Sequence, residues 1–216
     1  MKNYEAELPQ NYKLVKTIDA KNSKIGIALN LVALAVVVAC IVGAYFIVGV
    51  PFDELIDFDY HHGLYGIIRI LVFLAVMIVY VILHELVHGA AYKALTKQKL
   101  TFGMTLTVAF CGVPHIYVYR KTALISVLAP FVVFLPVFLV LCFVLPNPLE
   151  KILAATMLGM HVGGCSGDLW VAGLLTFKYR DKTTLMNDTG PKQTFYVLSD
   201  DPVMENAPTD ENVENI

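Results

Sequence analysis

The sequence predicts an all-α membrane protein of about four transmembrane helices, with a small cytoplasmic β-hairpin between helices 2 and 3. Three observations carry that expectation. The 216 residues are 57% hydrophobic and only 16% charged, against about 25% charged in an ordinary soluble domain. Mean hydropathy is +0.64. The apolar residues also gather into long runs separated by short, charge-bearing connectors, and crossing the hydrocarbon core takes about 20 mostly apolar residues.

Four runs reach that length, at roughly 25–50, 67–95, 123–145 and 152–177. Pro51 terminates the first, and Pro146 with Pro148 terminates the third. Pro130 and Pro136 lie inside the third run and are expected to kink it, which neighbouring helices tolerate in a membrane. Residues 1–24 are then a cytoplasmic N-terminal segment, 25–180 a transmembrane domain and 181–216 a cytoplasmic tail. The stretch 199–216 is acidic and poor in large apolar residues, so a solvated tail is expected there. The polar start and the length of the first run argue against a cleaved signal peptide.

Orientation follows from the sixteen Lys and Arg residues. Lys2, Lys13, Lys16, Lys21 and Lys24 precede the first run, and Lys93, Lys97, Lys99, Arg120 and Lys121 flank the second connector. Lys178, Arg180, Lys182 and Lys192 follow the fourth run. The first connector has no basic residue but carries Asp53, Glu54, Asp57 and Asp59, the third has only Lys151, and Arg69 near the outer end of the second run completes the sixteen. Positive charge stays on the cytoplasmic side, which places both termini and the second connector in the cytoplasm of a multi-pass cell-membrane protein. No basic cluster points to nucleic acid. Cys40, Cys111, Cys142 and Cys165 lie singly, with neither metal-knuckle spacing nor a disulfide framework, and read as small apolar side chains. Within the second connector, β-branched and aromatic residues flank Cys111-Gly112-Val113-Pro114, which predicts a hairpin turning there at the membrane surface. Such a hairpin either covers the helix ends or offers an edge to an extended peptide.

The chemistry-bearing motif is His84-Glu85-Leu86-Val87-His88 in the second run. Two histidines four apart on a helix point the same way and can hold one ion, with the glutamate beside them as general base. Zn²⁺ held by neutral imidazoles lowers the pKa of a bound water to about 7. Glu85 takes its proton and later returns it to the leaving amine. Ionisable side chains inside a span are costly and mark function. A zinc site usually takes a third protein ligand, and the candidates are Asp168, His161 and Cys165. Depth separates them. Counted from Lys97 and Lys178, Asp168 matches the level of the histidine pair to within ~2 Å, whereas His161 lies ~9–10 Å too deep at helical rise. Gly159, Gly163 and Gly167 form a smooth stripe for close helix contact, and the second run offers Gly89, Ala90, Ala91 and Ala94 as its partner face. His161 reads as an interior histidine or a hydrogen-bonding neighbour of the site. His61 and His62 fall in the external connector, His115 reads as a surface residue, and Asn187-Asp188-Thr189-Gly190 as a turn near the site's mouth.

HELVHG on a membrane helix, a later GDLW segment and a D-T-G turn together resemble a bacterial family of membrane zincin peptidases of unknown function, relatives of the site-2 proteases. The resemblance covers about Leu83 to Tyr196. It implies that His84, His88 and Asp168 bind zinc and that Glu85 is catalytic. Asp168 stands in Gly167-Asp168-Leu169, where site-2 proteases usually carry L-D-G or N-P-D-G. The expected function is hydrolysis of a transmembrane or membrane-associated peptide near the cytoplasmic side of the bilayer. The alternative is a non-catalytic metal-binding membrane protein, a sensor or transport component.

Overall fold

The first three apolar runs fold as single helices in a computed structural model of the chain, which describes residues 2–20, 22–48, 63–104 and 109–199. These are α1 (Ser23–Val48), α2 (Gly63–Thr96) and α3 (Arg120–Val144). Each has a segment long and apolar enough to cross a membrane, with mean hydropathies of 2.9, 2.8 and 2.9. Leu31, Leu34 and Phe46 of α1, Ile70, Val79 and Ile82 of α2, and Val132 and Phe143 of α3 are all exposed. Helices that expose large apolar side chains in such numbers match a lipid surround rather than water. Pro130 and Pro136 both fall within α3.

The fourth run departs from expectation. It is broken at Cys165 into α4 (Pro148–Gly164) and α5 (Ser166–Gly173). Asn147 caps α4, its side chain accepting from Leu149 N at 2.9 Å. The break follows Gly163-Gly164, where Cys165 adopts φ −73° and ψ 1°, outside the helical well. Beyond α5, Leu174–Lys178 widens into a π-turn, with Tyr179 N donating to Leu174 O at 2.7 Å. Asp168 thereby sits in the first turn of its own short helix.

The segments expected to be tail and linker are strands. β1 (Tyr4–Glu5), β2 (Tyr12–Asp19), β5 (Tyr117–Tyr119), β6 (Leu185–Asp188) and β7 (Lys192–Leu198) form one antiparallel sheet in the order β1-β5-β6-β7-β2. β2 pairs with β7 from Tyr12 opposite Leu198 to Asp19 opposite Lys192, with an irregularity between Leu14 and Lys16. The expected hairpin exists but is shifted. β3 (Thr101–Met104) pairs with β4 (Ala109–Gly112), Thr101 opposite Gly112. Cys111-Gly112 therefore lies in a strand, and Val113–Ile116 leads on to the larger sheet. The sheet closes over the ends of the helices. Ile18, Val118, Met186 and Phe195 from the strands pack with Tyr92 of α2, Ala123 and Val127 of α3 and Val171 and Ala172 of α5. Arg120 Nε donates to Leu175 O at 2.6 Å and Asn3 Nδ2 to Leu95 O at 2.7 Å.

The glycine stripe also faces another way. A Cβ on Gly163 would meet Ala33 Cα at 2.7 Å, and one on Gly159 would meet Val37 Cα at 2.8 Å. The stripe thus seats α1 rather than α2, while Gly89 lies under the Phe102 ring of β3. Small residues license close approach without naming the neighbour.

Candidate metal centre

α2 carries His84, His88 and Tyr92 at successive turns of one face. Its C-terminus is closed by Thr96 Oγ1 donating to Tyr92 O at 2.7 Å. Lys97 then takes a left-handed conformation at φ 61° and donates its N–H to Lys93 O at 3.0 Å. That rigid end presents two imidazoles to α5. His84 Nε2 lies 3.5 Å and His88 Nε2 3.4 Å from Asp168 Oδ2. Ligand bonds of about 2.0–2.1 Å in a tetrahedron set ligand atoms about 3.3–3.4 Å apart. The two His–Asp spacings fit such a zinc site, and so does the donor chemistry of two imidazoles and one carboxylate. His88 is 7% exposed, whereas the Asp168 side chain is 27% exposed, so the group of three has a buried floor and an open side. Glu85, half-buried, lies within electrostatic reach of His84, His88 and Asp168.

Hydrogen bonds at the outer nitrogens decide which nitrogen faces the ion. His88 Nδ1 is 2.8 Å from the Ser126 carbonyl. A carbonyl only accepts, so Nδ1 carries the proton and Nε2 keeps its lone pair for a metal. His84 is oriented through a longer chain. His161 Nε2 donates to Phe131 O at 3.4 Å, which leaves Nδ1 of the neutral ring as acceptor for Tyr80 OH at 2.7 Å. The Tyr80 oxygen in turn accepts from His84 Nδ1 at 3.2 Å. Every donor has an acceptor in that order, and His84 Nε2 is again the free lone pair.

A second group, His84, His161 and Cys165, also brings its ligand atoms within 4.8 Å of one another. Both ring nitrogens of His161 are already engaged, and Cys165 Sγ stands 3.7 Å from His161 Nδ1. The Asp168 group is the better zinc site among the described residues. His161 is fully buried and supports His84 through Tyr80. His115 is exposed, and His61 and His62 lie outside the described residues. The four cysteines are free thiols, Cys111 and Cys165 buried.

The expected Asn187–Gly190 turn is in part strand: Asn187 and Asp188 end β6, paired with Thr194 and Gln193, and the chain turns at Thr189-Gly190 beneath Tyr92. Asp188 Oδ2 accepts from Tyr92 OH at 2.6 Å, and Oδ1 accepts from Gly190 N at 2.9 Å. Burial pushes the Asp188 carboxyl up to about 6. Gly190 has φ +99°, and Gly112 packs so closely on the turn that a Cβ there would meet Thr189 C at 2.6 Å. Tyr80, Tyr92 and Ser126 escaped the sequence reading, although Tyr80 and Tyr92 stand four residues either side of the histidine pair.

Residues 77–182 match a protein family described as "Putative zincin peptidase". A zincin peptidase is a zinc-dependent metallopeptidase, and the matched segment contains the whole Tyr80–His84–Glu85–His88–Ser126–His161–Asp168 constellation. No curated protein and no solved structure matches the chain.

Proposed function

We propose that this zincin domain is a membrane-embedded zinc metallopeptidase of the site-2 protease kind, hydrolysing a transmembrane or membrane-associated peptide near the cytoplasmic face. The observation that carries it is the convergence of His84 Nε2 and His88 Nε2 on Asp168 Oδ2, with Glu85 beside them on the same helix. His84, His88 and Asp168 would hold the zinc, which when bound supplies a Lewis acid and a water of lowered pKa. Glu85 accepts a proton from the attacking water as its oxygen bonds the peptide carbonyl carbon, and delivers that proton to the amine nitrogen as the C–N bond breaks. His88 and His84 keep their geometry because Ser126 O and Tyr80 hold their outer nitrogens. The open side at Asp168 gives water and peptide their approach.

Two features support the membrane setting. The exposed Leu, Ile, Val and Phe side chains of α1, α2 and α3 call for lipid. β1 and β2 share one sheet with β7, so the N-terminal and C-terminal strands sit at the same ends of the helices, together with Lys13, Lys16 and Lys192. The positive-inside rule makes that end cytoplasmic.

The test uses the full chain purified in detergent, elemental analysis, and a panel of transmembrane peptides bearing a fluorophore and a quencher. Wild type is expected to hold one zinc per chain and to cleave. Glu85→Gln should keep the zinc and lose cleavage, whereas a non-catalytic metal protein would cleave in neither form. Cleavage by Glu85→Gln at the wild-type rate would overturn the mechanism, and an undiminished zinc content in Asp168→Ala would overturn the ligand set.

A further inference from the structure

α3 crosses beside the metal group with two prolines in its interior, and they do different things. In an α-helix the N–H of residue i donates to the carbonyl of residue i−4. Proline has no N–H. Pro130 therefore leaves the Ser126 carbonyl without its helical donor, and Pro136 does the same to Val132. Val132 is 65% exposed on the apolar surface, whereas Ser126 is fully buried, and so is Pro130. The Ser126 carbonyl is the one that accepts from His88 Nδ1 at 2.8 Å. A carbonyl bonded to its own helix points along the axis at that amide, while one released from it, with a proline ring pressing from the next turn, turns outward.

We propose that Pro130 is a positioning residue of the metal site: by withholding a helical donor from Ser126 it commits that carbonyl to His88 Nδ1, and so holds His88 Nε2 unprotonated and aimed at Asp168. The inference rests on the reading that His84, His88 and Asp168 hold zinc. It assigns a chemical task to a proline whose sequence signature is only that of a kink. The spacing is the device: a proline four residues beyond the acceptor, on the helix that faces the ligand. Outer partners of metal histidines typically govern metal affinity by about 10–100-fold.

The experiment compares Pro130→Ala with Pro136→Ala in the full chain, in detergent. Zinc affinity is read by competition with a chromogenic chelator, and hydrogen exchange and ¹⁵N-histidine NMR are recorded on the zinc-loaded protein. Pro130→Ala should weaken zinc binding by about 10–100-fold. The new backbone amide at position 130 should be protected, and the His88 Nδ1–H should exchange faster than in wild type. Pro136→Ala should leave both zinc affinity and the His88 signal as in wild type. A purely structural role for the prolines predicts that both alanine variants behave alike, so equal losses overturn the proposal, as does an unchanged zinc affinity in Pro130→Ala. Should Pro130→Ala not fold, wild type decides: zinc on His88 Nε2 with a slowly exchanging Nδ1–H supports the proposal, and coordination through Nδ1 or a freely exchanging Nδ1–H overturns it. Wild type that binds no zinc at all refutes the metal reading itself, a result distinct from any of these.

Discussion

Tyr80 is the joint through which His161 acts on His84, and replacing it with Phe removes one atom that serves two histidines. The ring contacts survive: Phe at this position keeps the edge-on packing that Tyr80 makes with Phe134 and Phe138, at centroid distances of 5.4 and 5.3 Å. What disappears is the 3.2 Å bond to His84 Nδ1 and the 2.7 Å bond to His161 Nδ1. His161 is 0% exposed, so its Nδ1 is left buried with only the weakly donating Cys165 thiol beside it at 3.7 Å, at a cost of about 1–3 kcal/mol. The metal-free protein should therefore lose about 1–3 kcal/mol of stability, and zinc affinity should fall by about 10–100-fold as His84 loses its fixed tautomer. His161→Leu leaves the Tyr80–His84 contact in place and should weaken zinc by less than about tenfold. In that background Tyr80→Phe has less left to break, giving a coupling of about 1 kcal/mol in the double-mutant cycle. Chelator competition in detergent measures the affinities, and thermal melts of the metal-free variants measure stability. A zinc affinity for Tyr80→Phe within about twofold of wild type, or two losses that simply add, would refute the chain of bonds from Phe131 to His84.

Three further outcomes follow from the same geometry. Gly112→Ala puts a Cβ against the backbone of Thr189 and Asp188, which cannot swing aside as a side chain would, and should cost about 3 kcal/mol in a thermal melt; an unchanged melting temperature contradicts the close approach. In the metal-free protein Asp188 holds its proton more tightly when folded, about 6 against a usual 3.8, so stability falls as pH rises through that interval. The fall is at most about 3 kcal/mol, and Asp188→Asn should flatten it; identical slopes for the two proteins would refute the burial argument. Removing zinc with a chelator should lower the melting temperature of wild type, by the equivalent of about 2.7 kcal/mol where free zinc had stood at a hundredfold its Kd. Asp168→Ala should show little or no such shift.

The proximity of Asp168 to the candidate pair His84 and His88 is legible in the sequence because it follows one constant, the helical rise. Depth counted from Lys97 and Lys178 brought Asp168 level with the histidine pair, and the structure sets its Oδ2 within 3.5 Å of both Nε2 atoms. The break at Cys165 lies on the far side of Asp168 from Lys178, and the counted stretch is α5 followed by the π-turn Leu174–Lys178; the same count overstated the distance of His161, whose ring centroid stands 6.3 Å from that of His84. The glycine stripe was misassigned because composition states how near a neighbour can come, not which neighbour it is; α1 took the place expected for α2. β2 and β7 were illegible for a related reason. Tyr12–Asp19 carries Lys13, Lys16 and Asp19 among its apolar residues, and its strand character arises from pairing with a segment nearly two hundred residues away. Tyr80, Ser126 and Pro130 belong to neither class. Each is reached by the same step of four that links His84 to His88: Tyr80 to His84 along α2, and Ser126 to Pro130 along α3. One turn beyond the histidine pair that step marks Tyr80 as the neighbour of His84, and on α3 it marks the Ser126 carbonyl as an acceptor without a helical donor. A buried metal histidine needs a partner for its second nitrogen, and here those partners are the Tyr80 hydroxyl, one turn from His84, and the Ser126 carbonyl facing His88.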